Sequence, residues 1–342
     1  MRTMKALVKT AKGPGNLELI DVQRPEPGPK DVLMKVWGSG ICGTDIHIYH
    51  GEYDEVVPPL TLGHEFSATV EQVGSDVTHV KPGDRVVSDL ITENGVMGND
   101  TVNGAHAEYV VMPSNQVHRL PDAVPLREAV LIEPLVACQH SLLECVKPRP
   151  ADFIAITGPG PIGCLMLQVA RLFSPSAVLI TGLRGVDDIR MDVARELGAD
   201  YVLNNDEDVV ARVMELTGGK GADVVIECSG ADQAINQALD MVKMGGIISN
   251  FAVYDNVMAR AKLSNITWKC LTIVGSWGWL GYPEQATRAT AGTISWQRTL
   301  RILGMGKLKL APILTHELPL EEWKKGFEIC EKKQGVKVVL RP

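Results

Sequence analysis

The run Gly158-Pro159-Gly160-Pro161-Ile162-Gly163 constrains the fold more than any other feature of the chain. It lies between a β-branched run, Phe153–Thr157, and an apolar stretch with helical periodicity from about Ile162 to Phe173. A G-x-G-x-x-G turn joining strand to helix is the arrangement that binds a dinucleotide. Gly158 permits the tight turn, Gly160 lets a pyrophosphate approach the backbone, and Gly163 allows helix and strand to pack closely. Pro161 and Ile162 open the helix, whose unpaired N–H groups and positive dipole end then face the phosphates.

The same texture continues downstream. Strands are expected at Ala177–Thr181, Ala199–Leu203, Asp223–Ile226, Gly246–Phe251 and Leu271–Gly275. The intervening helices end near Leu197 and cover roughly Asp208–Thr217 and Gln233–Val242. Strands alternating with helices predict an α/β, doubly wound parallel sheet. The first 150 residues read differently, with short alternating runs at Asp31–Val36 and Ala68–Val73 and turn signals at Gly74-Ser75-Asp76 and Pro82-Gly83-Asp84. That pattern predicts an irregular, mostly antiparallel β domain. Prolines in Lys147–Pro150 mark the change of texture. A chain of 342 residues suits two domains. The expected plan is a first domain over 1–150, completed by about 290–342, and a dinucleotide domain over 151–289. The closing strand, Val336–Leu340, is free by pattern alone to join either.

Several function classes are excluded at this stage. A net charge of −7 offers no basic footprint for nucleic acid. The sequence has no run of 18 apolar residues, so no membrane helix is expected. Its N-terminus lacks an apolar stretch of signal-peptide length. Seven cysteines, an odd number without a C-x-x-C pair, argue for a reducing, cytoplasmic setting rather than a disulfide framework.

The position that reads the adenosine ribose distinguishes NAD from NADP. An acidic residue at the end of the second strand would bind the 2′-hydroxyl of NAD. Gly182 stands there, followed by Leu183 and Arg184. Glycine leaves room for a 2′-phosphate and arginine can pair with it, so NADP is the expected cofactor. NAD stays possible, because Asp187 and Asp188 belong to the same loop.

Metal-ligand residue types gather in the first domain: Cys42 in GICGTDIH, His64 and Glu65 in GHE, and Glu133 before Pro134. Thiolate, imidazole and carboxylate together suit a zinc ion with an open position. Their spacing is not diagnostic, and a small core cysteine with ordinary polar neighbours explains the same residues. On chemistry alone both readings stay open.

The ordered set GICGTDIH (40–47), GHE (63–65), KPGDRV (81–86), AEYV (107–110), EPL (133–135), GPGPIG (158–163) and ARELGAD (194–200) resembles the zinc-containing medium-chain dehydrogenases, which include alcohol, sorbitol and threonine dehydrogenases. The resemblance spans essentially the whole chain. One departure is Ala68, where the family signature usually has glycine. The resemblance implies a GroES-like catalytic domain beside the Rossmann domain, and a hydride transferred between an alcohol and NAD(P). It makes Cys42 and His64 zinc ligands, with Glu65 and Glu133 as carboxylates that enter or border the metal shell. It makes Thr44 and His47 the carriers of the alcohol proton, and leaves open which glutamate coordinates.

Other residues follow by the same likeness. Ser229, Phe251 and Val253 end later strands where a cofactor would lie, and Ser276 and Trp277 follow the sixth strand. Lys337 matches a basic residue that often contacts the pyrophosphate. Many relatives carry four closely spaced cysteines for a structural zinc, but Ser88–Met112 contains none, so one catalytic zinc per chain is expected. A carboxylate-rich shell leans toward polyols, sugar alcohols or cyclitols as substrates, and the family suggests a homodimer or homotetramer. A metal-free quinone or enone reductase and a non-catalytic nucleotide-binding protein are the competing readings.

Overall fold

The computed structural model describes residues 2–204, 206–254, 261–276 and 291–342. They form two compact units, one from the chain through Pro134 together with the C-terminal part, the other beginning at Leu135.

The first unit is built on a seven-stranded sheet. Its strands run in the order Val117–Arg119, Arg85–Ser88, Glu65–Val73, Asp31–Gly40, Lys337–Arg341 and Leu314–Pro319, and Tyr109–Pro113 also pairs with Asp31–Gly40. Every pair is antiparallel except Leu314–Pro319 with Lys337–Arg341. The C-terminal strand thus joins the first unit, where Val339 pairs with Gly40 and Leu340 with Ser39. A smaller antiparallel sheet contains Leu17–Gln23, Thr3–Lys9 and Leu60–Thr61. Leu7, Ile41, Leu62, Trp323, Phe327 and Leu340 form the buried core that these layers share. Burial of such side chains contributes about 1.5–3 kcal/mol each.

The second unit is a six-stranded parallel sheet in the order Tyr201–Asn204, Ala177–Gly182, Phe153–Thr157, Ala222–Glu227, Val242–Asn250 and Thr272–Gly275. Counted along the chain this is 3-2-1-4-5-6, so the order reverses between Phe153–Thr157 and Ala222–Glu227. Ligands of such sheets bind at that switch point, outside the carboxyl ends of the strands. Phe153–Thr157 is buried along its whole length, as a central parallel strand requires. Helices at Pro161–Arg171, Asp188–Glu196, Val209–Leu216 and Asp232–Met241 connect the strands.

Two features differ from the sequence expectation. The fifth strand starts at Val242, directly after its helix, and bulges between Val242 and Ile247, opposite Ala222 and Val224, where Gly245 takes φ +69°. The second concerns the domain boundary. The change of texture at Lys147–Pro150 marks where strand–helix alternation begins, whereas the packing divides at Pro134. Helix Ile132–His140 and the π-helical turn Ser141–Val146 precede those prolines. Ser141 is hydrogen-bonded to Ser249 and Ser276 of the parallel sheet, so this segment packs with the second unit.

Candidate active site

The metal-ligand candidates converge in the first unit. Cys42 caps the helix Gly43–His50, and the Asp45 carboxylate accepts its N–H at 2.8 Å. Register in the main sheet pairs Gly40 with Glu65, the residue after His64. One ligand atom each from Cys42, His64 and Glu65 lies within 4.8 Å of the others. Gly63 precedes His64 at φ +91°, and a Cβ there would sit 2.6 Å from the His106 ring, so only glycine fits.

Charges in this cluster are poorly matched. Burial, followed by the Glu65 charge, pushes the Cys42 thiol up to about 12. Burial likewise pushes Glu133 up to about 8, with the charges of Glu65 and Cys42 adding to it and His64 opposing it. Glu133 sits in the first turn of helix Ile132–His140 and is 9% exposed. His64 is buried, and its Nδ1 has no hydrogen-bond partner among the described residues. A soft thiolate, an imidazole and carboxylates, all desolvated and short of positive charge, fit a borderline divalent cation such as zinc.

Three neighbours complete the arrangement. Thr44 Oγ1 lies 3.7 Å from Cys42 Sγ. His47, on the same helix, is half-exposed and its Nδ1 lies 2.9 Å from Glu52 Oε2. Lys337, expected against a pyrophosphate, is buried in this unit, with Nζ 2.5 Å from Glu65 Oε2 and donating to Ile41 O at 3.1 Å. Burial works against its charge, but the Glu65 and Cys42 charges raise its pKa overall. Gly40 makes room for the pair, since a Cβ there would lie 2.6 Å from Glu65 Oε2.

Sequence reasoning missed Asp45 and His106. Both side chains are fully buried, with His106 Nε2 3.4 Å from Asp45 Oδ2. Burial opposes the Asp45 charge, yet the His106 and His64 imidazoles and the Cys42 N–H hold its carboxyl below the usual range. An acidic residue three positions after a helix cap is a capping signal, and it identifies Asp45 in hindsight.

The second unit holds the dinucleotide candidates. Gly158 takes φ +95°, and Gly163 packs so closely that a Cβ would meet Gly158 O at 1.9 Å. A Cβ on Gly160 would meet nothing within 4 Å, so the middle glycine faces open space. Gly160 also caps helix Pro161–Arg171, with Pro161 in its first turn, and as a glycine it has no side chain to cap the first N–H groups. These are the three glycine roles expected of the motif.

Around the ribose position, a Cβ on Gly182 would lie 2.9 Å from Met191 Cγ and Pro159 Cγ, so a carboxylate does not fit there. The Asp187 carboxylate accepts the Leu183 N–H at 3.0 Å and pairs with Arg190, while Asp188 accepts the Gly185 N–H. Exposed Arg184 pairs with Asp206 at 3.0 Å. Ser229 and Val253 are exposed at the strand ends, Phe251 donates its N–H to Glu227 O, and Ser276 is buried against Ser141. Trp277 lies outside the described residues.

An open glycine turn at the switch point of a 3-2-1-4-5-6 sheet, carried with a thiol–imidazole–carboxylate cluster, defines an NAD(P)-dependent oxidoreductase. Comparison with known proteins places it more closely. Residues 28–122 match the alcohol dehydrogenase GroES-like domain, and residues 161–291 match the zinc-binding dehydrogenase family. Sorbitol dehydrogenase of Halalkalibacterium halodurans is 35% identical over 99% of both chains. D-arabitol-phosphate dehydrogenase of Enterococcus avium is 32% identical over 99% of this chain and 97% of its own. A zinc-binding dehydrogenase structure from Sinorhizobium meliloti, bound to NADP, superposes with a TM-score of 0.88 at 27% identity over all of both chains. The chain belongs to the zinc-binding medium-chain alcohol dehydrogenase family.

Proposed function

We propose that this enzyme oxidises and re-forms a polyol, sugar alcohol or cyclitol, using one catalytic zinc per chain and preferring NADP to NAD. The observation that carries the reading is the convergence of Cys42, His64 and Glu65, beside a buried Glu133 whose carboxyl their charges act on. These four residues would hold the metal, which supplies Lewis-acid polarisation of an alcohol oxygen and lowers the alcohol pKa. Thr44 takes the hydroxyl proton and passes it to His47. That ring reaches solvent beside Glu52, where a proton can leave to bulk water. Gly158, Gly160, Pro161, Ile162, Gly163, Ser229, Phe251 and Val253 cradle the dinucleotide that accepts the hydride.

The NADP preference rests on Gly182, where a carboxylate does not fit, and on exposed Arg184. The relatives named for sorbitol and arabitol phosphate support a polyhydroxy substrate. Absence of a structural zinc rests on Ser88–Met112, where side chains take over the bracing. Asp89 accepts the Ile91 N–H, Asp100 accepts the Val96 N–H, and Thr101 donates to Asn94 O. We place the enzyme in the cytoplasm on its cysteine usage, acting on a small molecule as a homo-oligomer. In support of self-association, the sheet ends at Thr272–Gly275, an edge strand whose Ile273 is exposed.

The test is elemental analysis of the purified protein combined with nicotinamide absorbance across a panel of polyols, with each dinucleotide, before and after chelation. One zinc per chain and chelator-sensitive turnover of a polyol are expected. Activity that survives complete metal removal refutes the reading.

A further inference from the structure

We propose that Glu227 positions the dinucleotide cradle, its carboxylate fixing the distance between the glycine turn and the opposite wall of the crevice; this rests on the reading that Gly158–Gly163 binds a dinucleotide. Glu227 ends the fourth strand at the switch point and is fully buried, at 0% exposure. A buried carboxylate is costly unless donors surround it. The donors that reach this one are neutral. Oε1 accepts Thr157 Oγ1 at 3.2 Å, the Ser229 N–H at 2.8 Å and Ser229 Oγ at 2.6 Å. Oε2 accepts the Tyr254 hydroxyl at 2.7 Å, and the Gly230 N–H reaches both oxygens at 3.3 Å.

Those donors come from three segments that border the crevice. Thr157 is the last residue before Gly158. Ser229 and Gly230 form the turn against which Gly158 packs, since a Cβ on Gly158 would lie 3.1 Å from Ser229 Cβ. Tyr254 follows Phe251 and Val253, and the Phe251 and Ala252 N–H groups donate to Glu227 O at 3.0 and 3.1 Å. A Cβ on Gly230 would lie 2.8 Å from Val253 O, so turn and wall are in direct contact. One side chain therefore ties together the three pieces of backbone that a pyrophosphate and its ribose would meet. A glutamine of the same shape turns an NH₂ group toward donors at one end, which breaks the clamp without opening a cavity.

The experiment uses metal-stripped full-length protein and measures Kd for NADPH and NADH by cofactor fluorescence, with a melting curve for each variant. For Glu227→Gln, Kd rises roughly ten- to hundredfold, the range expected when hydrogen bonds to a charged group are lost. In the zinc-loaded enzyme, KM for the dinucleotide rises alike, while kcat at saturation and zinc content stay near wild type. Tyr254→Phe removes one donor from the far wall and keeps the carboxylate, giving a rise of roughly two- to tenfold. This second variant decides the matter if Glu227→Gln does not fold. Wild-type Kd in the folded variants, even with lowered melting temperatures, overturns the proposal, because the cluster then only stabilises the sheet. Failure of the wild-type protein to bind either dinucleotide overturns the underlying reading instead.

Discussion

Replacing Lys337 by methionine should destabilise the metal-free protein far more than the zinc-loaded one. Lys337 is 3% exposed, and its ammonium meets Glu65 at 2.5 Å in a pocket that also holds Cys42. The substitution preserves the stem and deletes the charge, leaving Glu65 buried without its cation. Breaking a buried ion pair from one side costs about 3–5 kcal/mol, most of it the cost of the carboxylate left behind. Glu133 is already pushed up to about 8 by burial, and it offers Glu65 no relief. A divalent cation at Cys42, His64 and the carboxylates supplies positive charge at the same place, and binding to the folded state alone adds stability by mass action. Zinc should therefore recover most of the loss.

The assay is urea unfolding of wild type and Lys337→Met, each stripped and zinc-loaded, with Lys337→Arg as a charge-preserving control. The double variant Glu65→Gln, Lys337→Met closes the cycle and should be more stable than Lys337→Met when metal-free. Two results would refute the reasoning. Equal midpoints for stripped wild type and variant would mean that the pair contributes nothing. The same loss with and without zinc would mean that the metal does not share a field with Glu65.

Three further outcomes are expected. Cys42→Ala should lose zinc and turnover while binding dinucleotide as before, since the thiol belongs to the first unit and the cradle to the second; retained turnover contradicts the ligand assignment. Arg184→Ala should weaken NADPH binding by roughly tenfold or more, the loss of one charge-assisted contact, and leave NADH nearly unaffected; equal weakening of both discounts the 2′-phosphate role. His118 stacks on Trp296, and burial, followed by the His79 charge, lowers it to about 4. The unfolded imidazole protonates near 6.5, so stability is full above that pH and falls between pH 6.5 and 4, by about 3 kcal/mol in all. His118→Phe should remove that component from the pH profile of unfolding, and an unchanged slope would show that His118 titrates normally.

The second unit was legible because its signals are local. Strand, glycine turn and helix follow one another within a few residues at Phe153–Arg171, and each glycine role is set by steric demands of adjacent backbone. The thiol–imidazole–carboxylate cluster was legible only in part. Residue types at Cys42, His64, Glu65 and Glu133 suggested chemistry, but their spacing along the chain did not require that they meet. Pairing of Gly40 with Glu65 brings two of the segments together, and the capped helix at Gly43–His50 orients the thiol.

What the sequence by itself determined is the doubly wound sheet, its dinucleotide turn, and the absence of a carboxylate at Gly182. Tertiary structure alone decided the rest. A strand at the far end of the chain adds to Asp31–Gly40 and places Lys337 on Glu65. Strand order puts Glu227 at the switch point among Thr157, Ser229 and Tyr254. The physical reason is the same in both cases. Periodicity and turn chemistry act over neighbouring residues, whereas the electrostatics of a buried group depends on which distant segments the sheets bring into contact with it.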